Sequence, residues 1–185
     1  MQFTTARPDA IRAINQRWLL KYWIQHLDGA RVPRWQAVKT DDLASMADHL
    51  SFLDVIRGKP LRFVIRFHGR MVGRAYGTPD CSGRHLDEII PVAGRDQTLA
   101  PYVRAAKDGV PVYTIQDVTD TAERLIHFER LLLPFARNGE TVDRILAAFE
   151  FVCADGDFDD KELLSASAAA PTLQLSAIIE ARAMA

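Results

Sequence analysis

Six polar or aromatic side chains have residue types that could line a small-molecule pocket. They are Arg66, His68, Tyr76, Tyr102, Tyr113 and Glu129. Arg66 and His68 are two residues apart on a predicted strand, so we expect them to share one face of it, opposite Phe67. The others come from a bend, a helix and two later strands. Because a few placed polar groups orient a ligand in a mostly apolar cavity, the set predicts a ligand pocket between helix and sheet.

Three alternatives to a ligand pocket remain open. Arg66 and Glu129 could form a structural ion pair while the tyrosines pack with their hydroxyls bonded. The chain could be a small enzyme with His68 or Glu129 as acid or base, but spacing identifies no positioned partner for either residue. It could also be a structural adaptor that binds no ligand. We expect a binding module without catalysis.

Composition narrows the class of protein. The chain has 185 residues, 48% hydrophobic and 25% charged, which fits one globular domain with extensions. Its 23 basic and 24 acidic residues create no field that would hold a nucleic acid. No apolar run reaches the roughly 20 residues of a membrane span, and no secretion signal precedes the domain. We therefore expect a cytoplasmic protein in which Cys81 and Cys153 remain thiols.

The N-terminal region predicts one long helix over residues 10–27, ended by Gly29. Its second half is apolar on more than one side and needs burial. Trp18, Tyr22 and Trp23 are the largest side chains there, and we expect them to form a partner surface. The apolar sides of this segment could cover the outer sheet face of the same chain or a second copy, and a homodimer is the expected partner.

Strand and helix patterns follow in a definite order. Strands are predicted over residues 51–57, 61–69, 110–118, 125–136 and from 141 or 142 to 152. Helical segments are predicted over residues 40–50, 85–90 and 95–108. The last segment, rich in Ala and Ser, carries a weak helical pattern around Leu173, Leu175, Ile178 and Ile179. The chain thus divides into a helix and connector (1–38), a central domain (39–153) and a tail (154–185).

Four stretches carry a family resemblance. They are Tyr22-Trp23 with Pro33; Leu50 to Val55; residues 63–69 with Tyr76-Gly77 and residues 81–84; and residues 129–134 with Asn138-Gly139 and Ile145-Leu146. With the order of elements, they resemble an alphaproteobacterial family of small single-domain PAS proteins over roughly residues 18–152. The resemblance implies an α+β fold, a five-stranded antiparallel sheet with flanking helices. It also implies a sensory module of signal transduction that binds a small molecule, a protein partner, or both, and it names no ligand.

The residues that bind cofactors in similar folds are absent from this sequence. The predicted helix 95–108 contains no His to bind haem. Cys81 is followed by Ser82-Gly83, without the Arg and Gln pattern of flavin-binding light sensors, so we interpret it as a packed thiol. The acidic segment 155–162 lacks the Gly that a calcium loop requires at its sixth position. We predict no cofactor and no metal.

Overall fold

The structure is a computed structural model that describes residues 2–78, 80–165 and 169–181. One sheet runs in the order β1-β7-β4-β5-β6-β2-β3. Its strands are β1 (Thr4–Ala6), β2 (Leu50–Ile56), β3 (Arg62–His68), β4 (Val112–Thr119), β5 (Leu125–Phe135), β6 (Arg144–Cys153) and β7 (Thr172–Ile179). The helices are α1 (Ile14–Gln25), α2 (Thr40–Leu43), α3 (Arg70–Ala75), α4 (Leu86–Ile89) and α5 (Arg95–Asp108). Short 3₁₀ turns lie at Pro8–Ala10, Trp35–Ala37 and Ala44–His49.

The five predicted strands form one antiparallel block, β4-β5-β6-β2-β3. Helix α5 covers the predicted residues and ends at Gly109, whose φ is 63°. A Cβ atom at Gly109 would lie 3.0 Å from a methyl group of Val32. Both the left-handed backbone and this close approach require glycine there.

The sheet has seven strands among the described residues, so the predicted five-stranded sheet is incomplete. The predicted helical pattern of the tail is wrong for residues 172–179, which form β7 antiparallel to β4. Strand β1 then pairs with β7 in parallel. The edge of β4 offers a row of unpaired backbone groups, and pairing with it outweighs a weak local helical preference.

The predicted long N-terminal helix is also wrong. Helix α1 has 12 residues, and a 3₁₀ turn and an extended segment precede it. Ile11 is fully buried with extended backbone. Tertiary packing of Ile11 therefore interrupts a continuous apolar pattern. The second predicted helix likewise divides into α2 and the 3₁₀ turn Ala44–His49.

Different helices pack on the two faces of the sheet. On the outer face, α1 lies across β5 and β6, where the Gln16 side-chain amide donates to the backbone oxygens of Glu129 and Ala148 at 3.3 and 3.0 Å. On the inner face, α5 packs against β4, β5 and β6. Because side chains alternate along a strand, the neighbours Glu129 and Arg130 lie on opposite faces.

A β-bulge in β3 changes which side chains share a face. Phe67 pairs with Phe52 and Ile65 pairs with Leu53, so Arg66 is an extra residue between the two pairs. As a result Arg66 reaches the outer-face carboxylate of Asp54 at 2.7 Å, whereas the His68 ring stacks on Tyr76 at 5.4 Å on the inner side. The prediction that Arg66 and His68 share a face is therefore wrong.

Candidate functional site

A group of polar side chains lies buried on the inner face of the sheet, beneath α3 and α5. We call it the inner polar cluster, and its members are the buried Ser51, Tyr76, Tyr102, Thr114 and Arg130 and the half-buried His68. His68, Tyr76 and Tyr102 belong to the predicted pocket set, and the structure brings these three together. The other three members escaped sequence reasoning.

Arg130 lies at the centre of the cluster and is completely buried. Its guanidinium carbon stands 4.9 Å from the centre of the Tyr102 ring and 5.8 Å from that of Phe128. Its Nη2 donates a long hydrogen bond to the Thr98 backbone oxygen at 3.4 Å, and the guanidinium also acts as a hydrogen-bond donor towards the hydroxyls of Tyr76 and Tyr102. Among the described residues Nε and Nη1 have no partner at normal hydrogen-bond distance. Contact with ring faces offsets part of the cost of burying a cation, but a buried charge normally has a hydrogen-bonded counterion.

Two tyrosine hydroxyls adjoin the guanidinium. Burial raises the pKa of Tyr76 and of Tyr102, and the Arg130 charge acts on both phenols in the opposite direction. Burial prevails, so both phenols keep their protons. Protonated hydroxyls next to a cation can donate to an anion that the cation attracts.

His68 and Ser51 form the side of the cluster nearest β3. They face each other across β2 and β3, and neither the Ser51 Oγ nor the His68 Nδ1 has a hydrogen-bond partner among the described residues. Burial lowers the pKa of His68 to about 4. Its ring is therefore neutral at physiological pH and adds no second positive charge to the cluster.

Strand β4 completes the cluster beside Arg130. Thr114 pairs directly with Arg130 across the two strands, and Gln116 lies two residues further along the same face. Both side chains are buried, and the Thr114 Oγ1 and Gln116 Oε1 are unpaired within the described chain. A natural core usually leaves few such atoms, and most of those in the described chain belong to the inner face of the sheet.

The other three predicted pocket residues lie on the outer face. Tyr113 donates its hydroxyl to Glu129 Oε2 at 2.7 Å beneath α1. The side chain of Arg66 is 55% exposed and pairs with Asp54. The predicted alternative of an Arg66–Glu129 ion pair is therefore wrong, because each of these residues has a different partner.

Only one of the three residues of the predicted partner surface is exposed. Trp23 is 2% exposed and its indole donates to the Pro134 backbone oxygen at 2.7 Å. Tyr22 is buried against its own chain and donates to Asp42 at 3.0 Å. Trp18, stacked on Tyr22, remains 41% exposed. Ile14, one turn earlier, is 76% exposed and extends the same apolar surface.

An open groove lies beside the cluster, between α5 and the turn that joins β2 to β3. Its volume is about 570 Å³, within the usual range of ligand sites. Phe63, Leu99 and Val103 give it an apolar lining, and Phe3 belongs to its wall. The Phe63 ring lies 5.5 Å from the Tyr102 ring, so two aromatic rings separate the groove from Arg130.

A signal for Arg130 was present in the sequence. Residues 125–135 form an otherwise largely apolar strand in which the opposite charges Glu129 and Arg130 stand side by side. On a central strand covered on both faces, each must enter a different buried layer. Ser51 and Thr114 give no such signal, because small hydroxyl residues are common in strands.

The sequence model of the PAS domain family matches residues 11–150. The chain belongs to the PAS domain family. In this PAS domain the match includes α1, strands β2 to β5 in full, β6 as far as Glu150 and the whole inner polar cluster. Strand β7 lies beyond the match, and β1 lies before it. No curated protein and no solved structure matches the chain.

The remaining chemical candidates have structural partners. The buried Cys81 thiol donates to the Thr78 backbone oxygen at 3.2 Å, and burial raises its pKa. In the acidic segment, Asp160 pairs with Arg74 at 2.7 Å. In the described ranges, no three His, Cys, Asp or Glu side chains are grouped so as to hold a metal ion. No helix in that part of the chain has the length and hydropathy to cross a membrane.

Proposed function

We propose that this PAS domain is a sensory module of signal transduction that binds a small anion at Arg130, without catalysis of its own. The observation that carries the proposal is a completely buried guanidinium with two unpaired nitrogens and no carboxylate partner among the described residues. An anion would supply the missing counterion. The hydroxyls of Tyr76 and Tyr102 would add donors beside it.

The burial of Arg130 makes the proposed site selective for charge. A buried ion pair gains energy only when its geometry is good and its remaining donors are satisfied. A neutral ligand leaves the cation uncompensated, whereas an anion converts a destabilising group into a bonded one. Binding should therefore stabilise the fold and tighten the contact between α5 and the sheet, and movement of α5 is the simplest output signal.

The test is thermal unfolding with acetate, benzoate and their neutral amides. We expect the two carboxylates at millimolar concentration to raise the Tm of the wild type by a few degrees, because a ligand that binds only the folded state stabilises it. The amides should raise it much less. Native mass spectrometry of freshly purified protein adds an independent measurement, in which a retained anionic mass supports the proposal.

Two matched arginine variants locate the effect. Arg130→Met removes the buried cation, and Arg66→Met removes an arginine that is exposed and already paired. The carboxylates should still stabilise Arg66→Met and should no longer stabilise Arg130→Met. If Arg130→Met responds like the wild type, or if no carboxylate stabilises the wild type, the anion site is wrong.

We also propose that a second copy of the chain covers the exposed surface of Ile14 and Trp18. The two side chains lie one turn apart on α1, and both are exposed. Light scattering at micromolar concentration should give a dimer for the wild type and a monomer for Trp18→Glu. Lys59→Glu, an exposed change outside α1, is the control. A monomeric wild type would overturn this part.

A further inference from the structure

We infer that the ligand is an amphipathic monocarboxylate whose head binds Arg130 and whose apolar body lies in the groove beside α5. The inference rests on the proposed function and specifies the chemical class of the ligand. Three observations carry it: the single buried guanidinium, the chain of aromatic contacts from Arg130 to the groove, and the composition of the groove itself.

The charge at the buried site favours a monoanion. Arg130 is the one cation of the inner polar cluster, because His68 is neutral when its pKa is about 4. A dianion such as a phosphate monoester would leave one charge uncompensated in a water-poor interior, at high cost. A planar carboxylate instead matches the two parallel N–H groups of a guanidinium.

The groove supplies space that a bare carboxylate would leave unused. Its floor includes Phe63, which belongs to the buried core, and its helical wall includes Leu99, Ala100 and Val103 from α5. Two of the charged pairs at its rim are already formed within the protein. Arg62 bonds both oxygens of Asp87, and Arg104 pairs with Asp108 at 2.6 Å. Arg95, Asp96 and Lys107 also line the groove, so the part that suits an apolar body is the stretch formed by Phe63, Leu99 and Val103.

The path between the two parts is short and aromatic. From the groove it passes the Phe63 ring, then the Tyr102 ring at 5.5 Å, and reaches the guanidinium 4.9 Å beyond the centre of that ring. Rotation of these two side chains would open the path without changing the strand pairing. Burial of an alkyl body along it would contribute about 0.8 kcal/mol for each buried CH₂ group.

The experiment compares acetate, octanoate and 1-octanol by two-dimensional NMR titration of the full chain. We expect octanoate to bind at least tenfold more tightly than acetate. Both should shift the Nε–H signal of Arg130, and octanoate alone should also shift the backbone amides of Leu99 and Val103. Octanol should bind at least tenfold more weakly than octanoate, because it lacks the charge.

Two substitutions at Ala100 isolate the groove. Ala100 is half-buried on α5, so Ala100→Phe fills the groove without entering the central core, and Ala100→Ser is the matched small change. We expect Ala100→Phe to weaken octanoate binding at least tenfold and to leave acetate binding unchanged. Ala100→Ser should bind both as the wild type does.

The outcomes separate this inference from the proposed function. Equal affinity for acetate and octanoate, octanol binding as tightly as octanoate, or unchanged octanoate binding by Ala100→Phe overturns the amphipathic ligand and leaves the anion site standing. Absence of any carboxylate binding overturns both. A tenfold gain with chain length that Ala100→Phe abolishes supports both.

Discussion

The two faces of the sheet differ in how a buried charged side chain is stabilised. Glu129 on the outer face and Arg130 on the inner face are adjacent in sequence and equally inaccessible. Glu129 accepts a 2.7 Å hydrogen bond from Tyr113, and α1 closes over it. Arg130 has a long bond to a backbone oxygen, contacts with two tyrosine hydroxyls and no carboxylate partner within the described chain. The buried carboxylate of Glu129 thus has a short hydrogen bond beneath a helix of its own chain, whereas the buried cation lacks a counterion where we propose that a ligand binds.

Arg130→Met tests the comparison most strongly. Removing a buried cation that lacks a counterion should raise the free energy of unfolding by up to about 3 kcal/mol, since an apolar side chain fits the aromatic surroundings. Denaturant unfolding without added anion measures it. Arg66→Met, at an exposed ion pair, should change stability by less than about 0.5 kcal/mol. A strongly destabilised Arg130→Met would contradict the comparison, because it would mean that the ring contacts already compensate the charge.

Tyr113→Phe and Thr114→Val compare the faces at neighbouring positions of β4. Tyr113→Phe deprives the buried Glu129 of its hydrogen bond and should cost about 2 kcal/mol. Thr114→Val replaces an unpaired hydroxyl by a methyl group of similar volume and should be neutral or slightly stabilising. Urea denaturation of both variants provides the measurement. Equal losses in the two variants would show that the faces do not differ.

The pH dependence of the stability of His68→Gln tests the inner face of the sheet. The pKa of His68 is lowered to about 4 in the fold. Between roughly pH 6.5 and 4, His68 is therefore protonated in the unfolded chain and neutral in the folded chain. His68 therefore reduces stability as pH falls through that window and has no such effect above it. The wild type should lose about 1 to 2 kcal/mol more than His68→Gln across the window. Equal losses in thermal unfolding at a series of pH values would contradict this, and His127→Gln on the outside is the control.

Glu150→Gln gives the smallest expected change and tests the outer face. Burial, helped by the facing carboxylate of Glu129, raises the pKa of Glu150, although His49 and Asn15 oppose the shift. Since the folded pKa is raised, ionised Glu150 lowers stability above it, and the neutral amide should increase Tm at pH 7. We expect a gain of up to about 1 kcal/mol that disappears as pH falls towards 4. No change with pH would show that α1 tolerates the charge.

Sequence alone established the antiparallel block and missed what depends on distant contacts. The strand over residues 125–135 and the end of α5 at Gly109 could be predicted, because both follow from local backbone geometry. The bulge at Arg66 could not, since it arises from pairing with β2, and it places Arg66 on the outer face. Three predicted site residues still lie together, because His68, Tyr76 and Tyr102 belong to elements that meet on the inner side of the sheet. Arg130 was overlooked since a buried, unpaired arginine contradicts the usual preference of that residue for the surface.

The pairing of β1 with β7 has a consequence for how the chain is made. Thr4 lies beside Ala177, so β1 can join the sheet only after β7 has been synthesised. Until then the edge of β4 is open to other chains in the crowded space around the ribosome. Chain termination before Thr172 would leave β1 without its neighbour and the edge of β4 exposed, because β7 is the strand that pairs with both.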